Sequence, residues 1–129
     1  MKNYLLDTQV FLWMQNEPEK LSKNLNRHLR AKDIRWHLSQ ITIWEIQVKY
    51  DLGKLSLPAA PKDCIPEVIE KAGLAYQPLQ DEAIFMLGKL PAIHRDPFDR
   101  LLAATSIVNG WTLATVDSKL KEYPLQTIS

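Results

Sequence analysis

One cysteine, Cys64, stands in a chain of 129 residues, so no internal disulfide framework holds this protein together. A lone thiol suits a reducing, cytoplasmic setting. The three histidines, at positions 28, 37 and 94, lack the spacing of zinc ligands. Charge of one sign is missing too: sixteen lysines and arginines against fifteen acids leave a formal charge of +1. No whole-molecule field marks a nucleic-acid binder, so attraction for a polyanion must come from local patches. Long apolar runs are also absent. Lys2 precedes only Tyr4-Leu5-Leu6 before Asp7 interrupts, which is not a secretory signal, and the run Val10 to Met14 is far too short to cross a bilayer. No repeat, low-complexity segment or domain boundary occurs. What remains is 46% hydrophobic and 24% charged, the make-up of one globular domain over residues 1–129 with a single sizeable core.

The hydrophobic spacing predicts alternating strands and helices. Tyr4-Leu5-Leu6 reads as a short buried strand, after which Asp7-Thr8 opens an apolar helix through Met14. Leu21, Leu25 and Leu29 form a helical stripe with Ser22 as its cap. Ile34, Trp36 and Leu38 alternate with Arg35 and His37, a second strand. From Ser39 a helix should run to about Leu52 with Ile41, Trp44 and Val48 on one face, and Gly53 follows its end. After a loop at Pro58 and Pro61, Ile65, Val68, Ile69 and Ala72 make another helix ending at Gly73. Ala75 to Leu79 reads as a strand, Asp81 to Leu90 as a short helix closed by Pro91. Pro97 starts a helix carrying Leu101, Leu102, Thr105 and Val108, ended by Gly110. Thr112 to Val116 is a strand, Ser118 to Tyr123 a helical turn, and Leu125 to Ile128 a last edge strand. This alternation predicts an α/β sandwich with a largely parallel central sheet flanked by helices.

In such sheets the binding crevice lies beyond the carboxyl ends of the strands. Asp7 and Asp117 both stand there, each after an apolar strand and each with a threonine nearby, Thr8 and Thr115. Glu45 and Asp99 sit inside or at the start of helices among apolar residues. Taken one at a time, each acid has a structural explanation. Asp7 and Asp117 suit N-caps, worth about 1 kcal/mol each. Asp96-Pro97-Phe98-Asp99 has the spacing of a capping box. Glu45 can pair with Lys49 one turn later on an exposed face, worth about 0.3 kcal/mol. These explanations fail jointly at Glu45, which adjoins the Ile41–Trp44–Val48 face, where an unpaired carboxylate is costly. Four acids in one crevice repel one another and call for a cation. An all-oxygen set without a histidine or cysteine partner suits Mg2+ or Mn2+, and such a site fits phosphodiester hydrolysis.

The strings YLLDT at 4–8, SQITIWEIQVKYDLGKL at 39–55, LPAIHRDPFDRLLAAT at 90–105 and LATVD at 113–117 resemble the VapC-like toxins of the PIN-domain family in order and spacing. The likeness runs from Tyr4 to the end of the chain. Its specific part is the Trp-Glu-Ile helix followed by His-Arg-Asp-Pro-Phe-Asp-Arg; LLDT or TVD alone is weak. The resemblance implies a PIN-like sandwich and acids matching Asp7, Glu45, Asp99 and Asp117 that bind Mg2+ or Mn2+. It also implies RNA as the substrate, a cognate antitoxin as partner, and a homodimer. Asp99 is taken as the third ligand because it immediately precedes the apolar helix, with Asp96 the second choice and its cap. His94, Arg95 and Arg100 are candidates for contacting RNA phosphates near the site, or else are solvated or pair with neighbouring acids. Thr8 and Thr115 either bond a ligand or cap turns. The four tryptophans are assigned to core or subunit interface.

Two rival classes are weighed. A phosphoacceptor receiver domain needs an acidic pair after the first strand and a lysine after a late one; here a single Asp7 and Thr115-Val116-Asp117 occupy those places. A non-catalytic RNA- or protein-binding module on the same scaffold would not need all four acids, and they are intact.

Overall fold

The computed structural model describes residues 1–129. Five strands, β1 (Lys2–Leu6), β2 (Ile34–Ser39), β3 (Ala75–Gln77), β4 (Thr112–Ala114) and β5 (Thr127–Ile128), form one sheet in the order β3-β2-β1-β4-β5. Every pairing is parallel. Six helices connect them, two in each crossover from β1 to β4: α1 (Thr8–Asn16), α2 (Lys23–Arg30), α3 (Gln40–Asp51), α4 (Pro61–Ala72), α5 (Asp81–Met86) and α6 (Pro97–Asn109). The predicted α/β sandwich with a parallel sheet is the observed architecture.

A parallel sheet is covered on both faces, because each crossover lays a helix on one of them. The central strand records this in two adjacent residues. Leu5 and Leu6 are both fully buried, yet they point to opposite faces. Leu6 joins a core with Val10, Phe11, Leu25, Leu38, Ile65 and Ala114. Leu5 joins another with Leu101, Leu102, Leu113, Leu120 and Tyr123. The register keeps the two apart, for Leu5 pairs with Leu113 and Leu6 with Ala114.

Two-sided burial also explains where alternation misleads. His37 was expected opposite the apolar face of β2, but it is buried, stacked 3.8 Å from the Trp111 ring and bonded through Nε2 to Asn3 Oδ1 at 2.9 Å. In α3 the predicted apolar face is corrected. Ile41, Thr42, Glu45 and Ile46 are the buried positions, whereas Trp44 is 51% exposed and meets the Phe98 ring edge-on. The reason is that α3 serves both cores, Ile41 in one and Ile46 in the other, so its inner face is not a single apolar stripe. Strands β3, β4 and β5 are shorter than predicted, and the helix from Asp81 ends at Met86, followed by a 3-10 turn over Leu87–Lys89.

The caps place the site. Asp7 is the N-cap of α1, Ser39 of α3 and Asp96 of α6. Pro97 fits the first turn of α6, whose missing N–H partner costs nothing there. Gly110 closes that helix at φ 68°, a left-handed conformation that only glycine adopts without strain.

Candidate metal centre

The strand order reverses between β1 and β4, and at that switch point the loops beyond the two strands diverge to leave a cleft. Asp7, Thr8, Gln9, Glu45, Lys49, Asp96, Asp99 and Asp117 line it, around a cavity of about 300 Å³. All four predicted acids are therefore on one cleft, and Asp96 is a fifth.

Asp7 follows β1, and its N–H donates to the Ala114 carbonyl of β4 at 3.0 Å, which ties the two strand ends together. Its carboxylate is only 3% exposed. Oδ1 accepts from the Val10 N–H at 2.7 Å, and Oδ2 accepts from the Thr115 hydroxyl. Thr115 also accepts from the Asp117 N–H at 3.0 Å, so one buried threonine links both strand-end acids. Burial raises the Asp7 carboxyl from 3.8 to about 6, against these hydrogen bonds, and the charges of Asp117 and Glu45 add to the rise. The capping explanation for Asp7 is thus correct but incomplete: one oxygen caps α1 while the group stays buried among like charges.

Glu45 is also 3% exposed. Its Oε1 accepts from the Thr8 hydroxyl at 2.7 Å, and Thr8 in turn lies 3.1 Å from the Thr42 hydroxyl. Its Oε2 accepts from Lys49 Nζ at 2.6 Å. The i,i+4 pair predicted for an exposed face exists, but with a buried acid. Burial disfavours the Lys49 ammonium, yet Glu45, Asp96 and Asp99 together hold it above the ordinary lysine range.

The third acid separates from its neighbour by what each already binds. Asp96 Oδ1 accepts the Phe98 N–H at 2.8 Å and the Asp99 N–H at 3.4 Å, which is cap work. Asp99 does not reach back as a capping box requires; its Oδ2 lies 3.1 Å from His94 Nε2 instead. Burial first, then the charges of Asp96 and Glu45, raise the Asp99 carboxyl to about 7. Asp117 behaves oppositely. Burial raises it, but a 2.9 Å bond from His94 Nε2 and the Lys119 N–H outweigh that and leave it below the usual carboxylate range.

The sequence offers His94 as a phosphate contact, as a solvated residue or as a partner of the neighbouring acids. The last of these is what the fold builds, so the acids are not without a histidine beside them. In the fold its ring bridges Asp99 and Asp117. The Asp96 N–H donates to Nδ1 at 3.1 Å, so the proton sits on Nε2 and points at the two carboxylates. His94 therefore acts towards them as a donor. Its own N–H donates to the Tyr123 hydroxyl at 2.9 Å, a contact no sequence signal announced.

Arg100 is absent from the cleft lining. It donates to the carbonyls of Leu87 and Pro91, both at 3.1 Å, and towards the Tyr123 hydroxyl, tying the 87–93 segment to α6. Arg95 is exposed and likewise outside the lining. Thr8 and Thr115 bond the carboxylates themselves.

The residues fit a hard divalent cation. Asp7 and Glu45 are almost out of water, and burial and like charge push Asp7 and Asp99 up to about 6 and 7. Five acids against the single Lys49 leave an excess of carboxylate that a divalent cation would offset.

An open parallel α/β domain with a carboxylate-lined cleft at its switch point is the class that fold and site define. The chain belongs to the PIN domain family, whose model matches residues 4–125. It is similar to Ribonuclease VapC22 of Mycobacterium tuberculosis, 26% identical over 126 residues that cover 95% of this chain and 93% of that protein. Among solved structures, VapBC2 from Rickettsia felis, bound to a DNA fragment from its promoter, aligns with a TM-score of 0.74 and 22% identity over 98% of this chain and 97% of that one. FitAcB from Neisseria gonorrhoeae aligns with a TM-score of 0.62 and 21% identity over 98% and 96%. These two likenesses concern the fold.

Proposed function

We propose that this protein is a divalent-cation-dependent endoribonuclease, the toxin of a toxin–antitoxin pair. One observation carries the reading: five carboxylates share one cleft, and two of them are pushed to about 6 and about 7. Asp7, Glu45, Asp99 and Asp117 are the residues to hold Mg2+ or Mn2+. Such an ion, when bound, supplies an activated water and offsets charge at a phosphodiester.

The chain's own residues prepare that site. Val10 N–H and Thr115 fix Asp7, Thr8 fixes Glu45, and His94 spaces Asp99 from Asp117. Fixed carboxylates need little reorganisation when charge arrives, which is how preorganised sites gain rate. The likeness to Ribonuclease VapC22 and to the VapBC complex supports RNA as substrate and an antitoxin as partner, and the lone cysteine suits a cytoplasmic setting. A homodimer completes the reading, by a two-fold, self-complementary contact.

The test is cleavage of RNA by purified protein with Mg2+ or Mn2+, and its loss in EDTA. Asp7→Asn, which keeps the side-chain shape, should remove most activity while the fold persists. Full cleavage by folded Asp7→Asn protein would sink the mechanism.

A further inference from the structure

Five carboxylates and a single cation, Lys49, line the cleft. RNA brings one negative charge per nucleotide into it, and the nearby basic residues do not help: Arg100 is spent on backbone carbonyls and Arg95 lies outside the lining. Lys49 stands one helical turn beyond Glu45 on α3, with its side chain 44% exposed against 4% for its partner. Glu45 does not depend on it for position, because Thr8 holds the other oxygen at 2.7 Å. The lysine stem is flexible and its ammonium is a compact charge able to change partners.

We propose that Lys49 is the phosphate-binding residue of this cleft: its ammonium neutralises Glu45 in the cation-free protein and is released to a substrate phosphate oxygen once Glu45 serves as a cation ligand. This rests on the ribonuclease reading above. It makes an unusual joint demand, since Lys49 competes with the divalent cation yet assists the RNA.

Lys49→Gln keeps a donor for Glu45 and removes the charge; Lys49→Arg keeps the charge. Calorimetric titration of RNA-free protein with Mn2+ should show Lys49→Gln binding the ion about tenfold more tightly, one repelling charge having gone. With saturating Mn2+ and a labelled single-stranded RNA, KM should rise about tenfold, kcat should change less, and the salt dependence should flatten by about 0.7 in log–log slope. Lys49→Arg should restore KM and the salt slope. Weaker Mn2+ binding by Lys49→Gln with unchanged KM would overturn the proposal, leaving Lys49 a strut for Glu45. Should Lys49→Gln not fold, a raised KM in folded Lys49→Arg would overturn it equally. If the wild-type protein cuts no RNA, the ribonuclease reading fails by itself, and tighter or weaker Mn2+ binding by Lys49→Gln still supports or rejects the competition with the cation.

Discussion

At Asp7 two demands conflict, and the conflict is measurable. Raising a carboxyl from 3.8 to about 6 corresponds to about 3 kcal/mol by proton linkage. The folded protein holds this proton more tightly than the unfolded chain. The stability it contributes is full below pH 3.8 and is lost as pH rises through about 6; for Asp99 the loss extends to about 7. Metal-free protein in EDTA should therefore melt at lower temperature at about pH 8 than at about pH 5, and Mn2+ should return most of the difference. Asp7→Asn removes the buried charge while its carbonyl oxygen still accepts from Val10. In EDTA at about pH 8 this variant should melt several degrees higher than the wild type, with cleavage gone. A lower melting temperature would mean that the Thr115 contact outweighs the burial of charge. Stability surrendered at a residue is a mark of a site selected for chemistry.

The element scale separates two adjacent acids on the first turn of α6. Asp96 has its oxygen on the helix N-terminus, and Asp99 has its oxygen on His94. Asp96→Ala should cost about 1 kcal/mol of stability through the lost cap, with Mn2+ affinity reduced less than in Asp99→Asn. Calorimetric titration of both variants checks it; a larger loss in Asp96→Ala would make Asp96 the third ligand. Capping chemistry was also what made the sequence readable. Ser22, Ser39 and Asp96 announced α2, α3 and α6, and Gly73 and Gly110 ended α4 and α6 at positive φ. These are local choices, and local choices are written in consecutive residues. Local spacing makes the short strands longer than they are, because β4 and β5 end where pairing ends, a fact held by partners distant in sequence. The Ile41–Trp44–Val48 face failed for a related reason. Apolar spacing cannot tell a helix serving one core from one that spans two and buries Glu45 between Ile41 and Ile46. His94 and Tyr123 were illegible as partners, since 29 positions separate them.

For the whole molecule, a net charge of +1 conceals a strongly acidic cleft, and beside that cleft lies apolar surface. Leu12 of α1 borders both the acidic cleft and a second hollow lined by Phe11, Ile46, Leu57, Ile65 and Val68. This juxtaposition suits inhibition by a small partner, as the antitoxin reading requires. An apolar helix seated in the hollow would bring a following basic side chain to the carboxylates, and an arginine there would pair with Asp7 or Asp117 and oppose cation binding. Expression alone should arrest growth, and co-expression with the product of the adjacent gene should relieve it. Glu45→Gln should abolish the arrest without a partner; arrest by the folded variant would mean that toxicity arises elsewhere. Val68→Glu separates the two surfaces, because Val68 is half-buried in the hollow and outside the acidic cleft. That variant should cleave RNA as the wild type does but escape its inhibitor, since burying a charge against an apolar helix costs several kcal/mol. Growth arrest should then persist under co-expression, with the inhibitor no longer co-purifying. Continued inhibition of folded Val68→Glu protein would place the partner outside this hollow.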